Sequence, residues 1–580
     1  MMTATGFLSL PIELICYILI LLTPRDVSRC AVTCKFFSGV VRNSVDIQYK
    51  LELYAQGFIN TEIATMDSFG ISSKMCSLKK LASLWRSDFH ANTVFETSFA
   101  AADPLYALPE KYIPPIQSVK CGLWWSRMRD FLIRDCNTNP KLSRTWSKDD
   151  LFPQSVLPGF VTFDALQDLM VVLPWPDDFT VTDAGQDHCV FLVEFRLASS
   201  QRPHPHPSAG CASFECKQSF DAPGDYCARF EKEPEICGDR VFVFYHIVDT
   251  DETPLPGMFI QVIDWRRGHA SNHIFCPLGP LEEIHIHVID EQKIVVVSSE
   301  GVMSLYTLQG LDGSPQCRIT YRLPQSSHTL GFPLMSVHAP SSFHGTAARP
   351  ELMPHYVPSL ESQIMVIEVF SSAGSVILVI DMVIFSDLAL HSESEMPIDI
   401  PWSDWGPQYT HIFPHHESHQ ISLFGSKMAY TLPQDCTPEP GQRLEEVKDY
   451  FYVHIWDFNK RARPESFDDP DSLDIRICKP GRVTQSCFVE DTIFSNRAYA
   501  AVVCHTPFPI PGFPLLEQDR LTVTWAQNGM VDIQVISPVP TEGGTDPYLS
   551  SLPAEELAPV KRRRASKRVQ RKKRKSHRLM

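Results

Sequence analysis

The stretch EIHIHVIDEQKIVVVSSEGVMSLYTL, residues 283–308, holds three apolar, β-branched runs parted by Glu291-Gln292 and Glu300-Gly301. Two-residue polar breaks suit hairpin turns, so the runs predict sequential antiparallel strands instead of parallel strands joined by crossovers. The same grammar continues in both directions. From about Thr93, runs such as DLMVVLP (168–174), CVFLVEFRL (189–197), RVFVFYHIVD (240–249), IMVIEVF (364–370) and FYVHIWDFN (451–459) are broken by Pro, Gly, Asp and Asn, with little helical periodicity. These runs predict a β-rich domain over residues 93–540. A single sandwich holds ~100 residues, whereas a propeller extends by adding small four-stranded sheets around an axis. The expected architecture is therefore a propeller-like domain of antiparallel strands, with tandem β-sandwiches as the alternative. FIQVIDWRRG (259–268) and YVHIWDFNKR (452–461) look like one repeated element, a strand ending in Asp and an aromatic before a polar turn. No regular G-H…W-D signature accompanies them, which leaves the number of blades open. Two Pro- and His-rich stretches, Arg202 to Ala209 and Pro324 to Pro358, predict long loops.

Ahead of this domain, residues 5–57 read as helical. In LPIELICYILILL (10–22), Pro11 suits the first turn of a helix and Glu13 its positive end. Thr23 can cap a second helix, with Pro24 at its first position and Asp26 as the acidic partner. Val27, Cys30, Ala31, Phe36, Phe37, Val40 and Val41 continue at three- and four-residue spacing, and Ile47, Leu51 and Tyr54 lead to Gly57, a C-terminal cap. The first helix carries two apolar stripes, Ile12, Ile15, Leu19 and Leu22 beside Leu14, Ile18 and Leu21. The next helices can cover one. A unit of roughly 45 residues buries little surface alone, so the second stripe predicts a partner protein or docking on the large domain. The uninterrupted apolar run Leu14 to Leu22 falls short of the ~20 residues that cross a bilayer. No Lys or Arg precedes it and no A-x-A comes after it, so it is not read as a secretory signal, and the chain is read as soluble. Residues 58–92, with Leu78, Leu81, Leu84 and Trp85 at helical spacing, form a helical linker.

The order L-P-x-E-L-x-x-x-I-L-x-x-L and then D-V-x-R-C-A-V-x-C-K-x-F resembles an F-box, and IQYKLELYAQGF (47–58) is similar to the segment C-terminal to the F-box in mushroom-type (basidiomycete) fungal F-box proteins. Val27 stands where Leu is usual and Phe37 where Trp is common. The resemblance implies a three-helix module that docks on the Skp-type adaptor, and through it the cullin scaffold, of a cullin-RING ubiquitin ligase. The adaptor-binding residues it implies are Leu10, Pro11, Glu13, Leu14, Ile15, Ile18, Leu19 and Leu22. The β-domain would then present a target protein. The competing expectation is a nuclear scaffold or chromatin-associated protein acting through its basic tail.

That tail sets the charge asymmetry. Twelve of the 52 Lys and Arg lie in residues 561–580, which hold no acid, so the first 560 residues carry 40 bases against 68 acids, about −28. Such a body repels nucleic acid and anionic membranes. Lys561, Arg562, Arg563 and Arg564, with Lys567 and Arg568, then Arg571, Lys572, Lys573, Arg574 and Lys575, form a bipartite basic pattern in a tail, 541–580, too charged to fold. Nuclear import through an import receptor is the leading reading, with a location in the nucleus or in nucleus and cytoplasm, and Ser566 is a candidate phosphorylation site.

Metal, cofactor and catalytic motifs are not expected. HIFPHHESH (411–419) lacks the H-E-x-x-H spacing and reads as an exposed polar turn. His285 and His287 share a strand face, read as solvated. Cys211, Cys216, Cys227 and Cys237 lack the close pairs of structural zinc sites, and the seventeen cysteines read as mostly buried small hydrophobes. There is no P-loop, G-x-G-x-x-G or G-x-S-x-G.

Overall fold

In a computed structural model, the segment 283–308 forms strands Ile284–Asp290, Lys293–Ser298 and Val302–Thr307, paired antiparallel, and Gln316–Arg322 adds a fourth. The structure describes residues 10–536, apart from 62–69, 101–117, 136–142, 277–283, 326–333, 341–354, 387–396, 437–443, 462–475 and breaks of five residues or fewer.

The central strand of this sheet explains the rest. Ile294 and Val296 pack toward the preceding sheet, against Phe242, Phe244 and Ile260, while Val295 and Val297 pack toward the next, against Met365, Ile367 and Val369. Successive side chains point to opposite faces, and here both faces are interior, so the strand reads as continuously apolar instead of alternating.

The pattern repeats. Among the described residues there are seven sheets of four to six strands, built on consecutive antiparallel pairs, beside two two-stranded ribbons. The seven sheets begin, in chain order, at Ser118, Phe160, Tyr226, Ile284, Leu334, Ile421 and Gly512. Each apolar cluster joins neighbours: Ile133 and Trp146 with Val161 and Val172, Phe191 and Val193 with Tyr245 and Phe259, Val366 and Val379 with Met428 and Trp456. Ser422 on the sixth sheet accepts the Leu516 amide of the seventh at 2.9 Å. The seventh sheet is completed from the far end of the chain, where Thr93–Ala100 pairs antiparallel with Met530–Ile536. Sequential sheets, packed face to face, with the first strand stitched into the last sheet, make a seven-bladed β-propeller. Tandem sandwiches are set aside, because the apolar clusters of the described residues each join one sheet to the next in chain order from the first to the sixth.

The repeated element foreseen at 259–268 and 452–461 is real. Met258–Asp264 and Tyr450–Asp457 are the third strands of the third and sixth sheets. In each, the terminal carboxylate accepts a turn amide at 3.0 Å, Asp264 from Arg267 and Asp457 from Asn459, and the next aromatic, Trp265 or Phe458, is buried.

Before the propeller lie α1 (Ile12–Leu21), α2 (Pro24–Thr33), α3 (Lys35–Asn43) and α4 (Val45–Gln56), with α5 (Ile71–Leu84) after them. Pro11 is the N-cap of α1, and the Thr23 hydroxyl accepts the Asp26 amide at the start of α2 with Pro24 in the first position. Ile15, Leu19, Val27, Val40, Val41 and Ile47 form the helical core. Gly57 ends α4 at φ +78°. The left-handed turn needs glycine, and a Cβ there would also sit 2.6 Å from the Ser362 Cβ.

Three expectations are corrected. The 58–92 linker opens with a strand, Phe58–Asn60, paired to Tyr356–Pro358. The loop expected over Pro324 to Pro358 contains that strand and Leu334–His338, the first strand of the fifth sheet; its Pro and His content masked two short strands. Among the twelve described cysteines only Cys189, Cys216, Cys237 and Cys504 are buried, because the others lie on helix flanks or sheet margins.

Ile367 is fully buried between the fourth and fifth sheets. Ile367→Ala should lower unfolding stability by about 2–5 kcal/mol, read by urea denaturation, with the cost set by how far the two sheets can close the void.

Candidate functional site

The helical module buries the middle of one stripe of α1, with Ile12 of that stripe exposed at its start, and leaves Leu14 and Leu21 of the other in water. Ile15 and Leu19 are at 0% and 1% exposure, whereas Leu14, Tyr17 and Leu21 stand at 50%, 63% and 69%. With 3.6 residues per turn, Leu14, Tyr17 and Leu21 line up along one face of the helix, and Leu10 stands exposed just ahead of its first turn. Val32 and Phe36 are exposed on α2 and α3. Burial of a large apolar side chain contributes ~1.5–3 kcal/mol, so a row of them left in water marks an unfilled contact surface.

The eight residues singled out in the sequence divide accordingly. Leu10, Pro11, Glu13 and Leu14 are exposed, and Ile18 and Leu22 are half-buried. Ile15 and Leu19 point into the module against Val27, Val40 and Ile47. Tyr17 and Leu21 belong to the exposed face; the second stripe of Leu14, Ile18 and Leu21 already held Leu21, and Tyr17 lies one turn from Leu14 and Leu21 on it. Lys50 supports this arrangement, its ammonium donating to the carbonyls of Ile20 and Leu22 at 2.5 Å and closing the C-terminal end of α1. Partial burial holds that ammonium below its usual pKa.

The module is tied to the propeller at several points. Besides the Phe58–Asn60 pairing, Asn459 donates to the Ala55 carbonyl at 2.9 Å, the Arg461 guanidinium lies 3.9 Å from the centre of the Tyr54 ring, and Trp85 donates to the Gln518 carbonyl at 3.1 Å.

The histidine-rich segment is no exposed turn. Thr410–His415 is the last strand of the fifth sheet and is buried throughout, and His419 is buried beyond it. Its His415 joins a network with His338, Glu368 and Tyr430 between the fifth and sixth sheets. His338 Nε2 lies 2.9 Å from Glu368 Oε2, His415 Nε2 lies 3.2 Å from Glu368 Oε1, and His415 Nδ1 lies 2.9 Å from the Tyr430 hydroxyl. Burial alone would raise the Glu368 carboxyl, but the His338 charge and hydrogen bond, joined by His415, hold it well below the usual carboxylate range. Burial alone would lower His338, and Glu368 instead raises it.

His285 and His287 are half-buried, not solvated. Burial, aided by the Lys232 ammonium, outweighs the opposing Glu235 carboxylate and pushes His287 down to about 4, so it is neutral at physiological pH. Among the described residues no group of His, Cys, Asp or Glu is arranged to hold a metal. Burial pushes the Cys189 thiol up to about 12 and Cys216 well above its usual value, so neither is a ready thiolate. No described helix is long and apolar enough to cross a membrane. Lys561 to Lys575, including Ser566, lie outside the described residues.

A family model described as F-box-like matches residues 7–47. The chain therefore carries an F-box-like domain at its helical end, joined to a β-propeller. No curated protein matches the sequence. The solved structures it resembles include the WD40 domain of SCAP from fission yeast, at 8% identity and TM-score 0.29 over 76% of this chain and 98% of that one. The WD40 domain of Toxoplasma gondii coronin is similar at 7% identity and TM-score 0.34, over 78% and 90%. The C-terminal WD40 domain of Sif2 is similar at 9% and 0.29, over 78% and 99%. The blade arrangement of this chain rests on its own sheet order.

The network makes stability depend on pH in two directions. Glu368, depressed on folding, contributes above the unfolded carboxylate pKa of ~4.3 and loses its contribution as pH falls through the folded value; His338, raised on folding, contributes fully below ~6.5 and loses its contribution as pH rises through its folded value. Glu368→Gln should therefore cost most between pH ~4.5 and ~6.5, about 3 kcal/mol, and the difference from wild type should shrink as pH rises through the raised folded value of His338. Thermal melts across pH check this; a constant difference would contradict it.

Proposed function

We propose that this chain is the substrate receptor of a cullin-RING ubiquitin ligase, with the F-box-like module binding a Skp-type adaptor and the propeller holding a target protein. One observation carries the reading: in a module of F-box-like sequence, the apolar face Leu10, Leu14, Tyr17 and Leu21 is left uncovered while the opposite stripe fills the core. A small helical unit retains such a face when another surface completes it. The ubiquitin chemistry then resides in other subunits, and this chain contributes binding and positioning. The similarity of IQYKLELYAQGF to fungal F-box proteins suggests a fungal lineage within this class.

Adaptor binding by the full chain, measured by calorimetry with a purified Skp-type adaptor, should fall at least about 100-fold in Leu14→Asp plus Leu21→Asp, since each carboxylate would be driven into an apolar interface. An unchanged affinity, with circular dichroism showing the fold intact, removes the assignment. Because these side chains are exposed, the fold should tolerate both changes.

We further assign the tail from Lys561 to Lys575 to nuclear import, on the strength of two basic clusters separated by a short spacer in an otherwise acidic protein. Deleting residues 561–580 should shift a fluorescent fusion from nucleus to cytoplasm. Phosphorylation at Ser566, adding about −1.5 to −2 charges, should weaken import in the same direction. A cytoplasmic wild type overturns this part alone.

A further inference from the structure

A cleft of about 1210 Å³ opens between the helical module and the fifth and sixth sheets, lined by the start of α2, by α4 and by Phe58, Ile59 and Asn60. It exceeds the ~300–1,000 Å³ usual for small-molecule sites. Ile20, the α1 residue on its wall, faces a different side of that helix from Leu14, Tyr17 and Leu21, so the cleft and the apolar face are separate surfaces.

The short strand on its wall is the informative part. Ser359 donates to the Gly57 carbonyl and Thr61 to the His355 carbonyl, and Ile59 stands opposite Val357 in the same register. In an antiparallel pair, hydrogen-bonded residues alternate, so residues 57, 59 and 61 turn their main-chain groups toward Tyr356–Pro358. Those of Phe58 and Asn60 therefore point the other way, along an edge of a two-stranded ribbon to which no further strand is paired among the described residues. Phe58 is buried and Asn60 exposed, so the edge is open at its Asn60 end, and an open edge of this kind accepts an extended chain. Ile59, at 52% exposure, adds an uncovered apolar side chain beside it.

The charges in the cleft narrow the choice. Arg461 is paired with Glu361 at 2.6 Å, the Asp381 carboxylate accepts the Val383 amide at 3.1 Å, and Lys50 serves the end of α1. Arg25 is exposed at the mouth, a cation in a body of about −28.

We propose that this cleft binds an extended peptide segment of the target protein, added as a third strand on the Phe58–Asn60 edge, with an acidic side chain opposite Arg25. The inference rests on the receptor reading for the identity of the peptide as a target, and it places recognition at the seam between the module and the propeller.

The test uses the full chain in complex with a Skp-type adaptor and two pools of acetylated octapeptides, random except for one position fixed as Glu in one pool and Lys in the other. The Glu pool should be retained about tenfold more strongly than the Lys pool, and Arg25→Glu should reverse the preference. Bound peptide should also slow hydrogen exchange at the Asn60 amide. Equal retention of the pools, an unaltered preference in Arg25→Glu, or retention without slowing at Asn60 overturns the proposal, as does a dimer whose interface protects Asn60 without peptide. Adaptor affinity is measured on the same preparation. Normal adaptor binding with no peptide selection defeats the cleft and leaves the receptor reading standing, whereas acid-selective capture without adaptor binding preserves the cleft and removes the ligase assignment.

Discussion

Two-sided burial of the strands governs this molecule. In the strand Arg240–Asp249, Val241, Val243 and Tyr245 pack toward the second sheet while Phe242 and Phe244 pack toward the fourth. A sheet built this way cannot end in water on either face without exposing several large apolar side chains, each worth ~1.5–3 kcal/mol. Every sheet therefore needs two neighbours. A linear stack would leave its two terminal sheets half covered, and the pairing of Thr93–Ala100 with Met530–Ile536 ties those two ends of the chain together. The same face-to-face packing is what holds Glu368 beside the fully buried His415 between the fifth and sixth sheets, with the partly exposed His338 bonded to the carboxylate at the margin.

Closure also decides where the helical module can sit. Its last helix ends at Gly57, and the next three residues pair with the segment just before the second strand of the fifth sheet, so the chain passes from helix to ribbon within one turn. Such a short connection, reinforced by Asn459 on the Ala55 carbonyl and Arg461 over Tyr54, leaves little length for independent motion. For a receptor, whose contribution is to hold one protein at a set distance from another, a stiff joint serves better than a flexible linker.

Much of this was legible in the sequence. Antiparallel strands from Thr93 onward, the Thr23-Pro24 start of α2, the Gly57 stop and the equivalence of the two Asp-aromatic turns all derive from local chemistry: hairpin breaks, caps and a left-handed turn. The features that escaped had a common cause. HIFPHHESH looked polar, yet Thr410–His415 is buried, because its histidines find Glu368, Tyr430 and the Thr431 carbonyl only once the fifth and sixth sheets have packed together. Tyr356–Pro358 and Leu334–His338 are hidden from a sequence reading because a three- or five-residue strand within Pro- and His-rich sequence carries too few positions for a period to emerge.

The division of α1 is the subtler case. Both of its stripes are apolar, so periodicity identifies a helix that must be covered twice but does not say which side is the module's own core. The family resemblance groups Ile15 and Leu19 with Leu14 on the partner-facing side, and only the positions of Val27, Val40 and Ile47 separate them. The distinction matters chemically. Changing Ile15 would empty a core of six fully or nearly fully buried side chains and unfold the module, which abolishes any interaction without revealing its surface. Leu14, Tyr17 and Leu21 have little folding role to lose. Natural sequences rarely keep a row of large apolar residues in water unless something else covers them, so the residues that contribute least to this chain's own stability are the ones that say most about its partner.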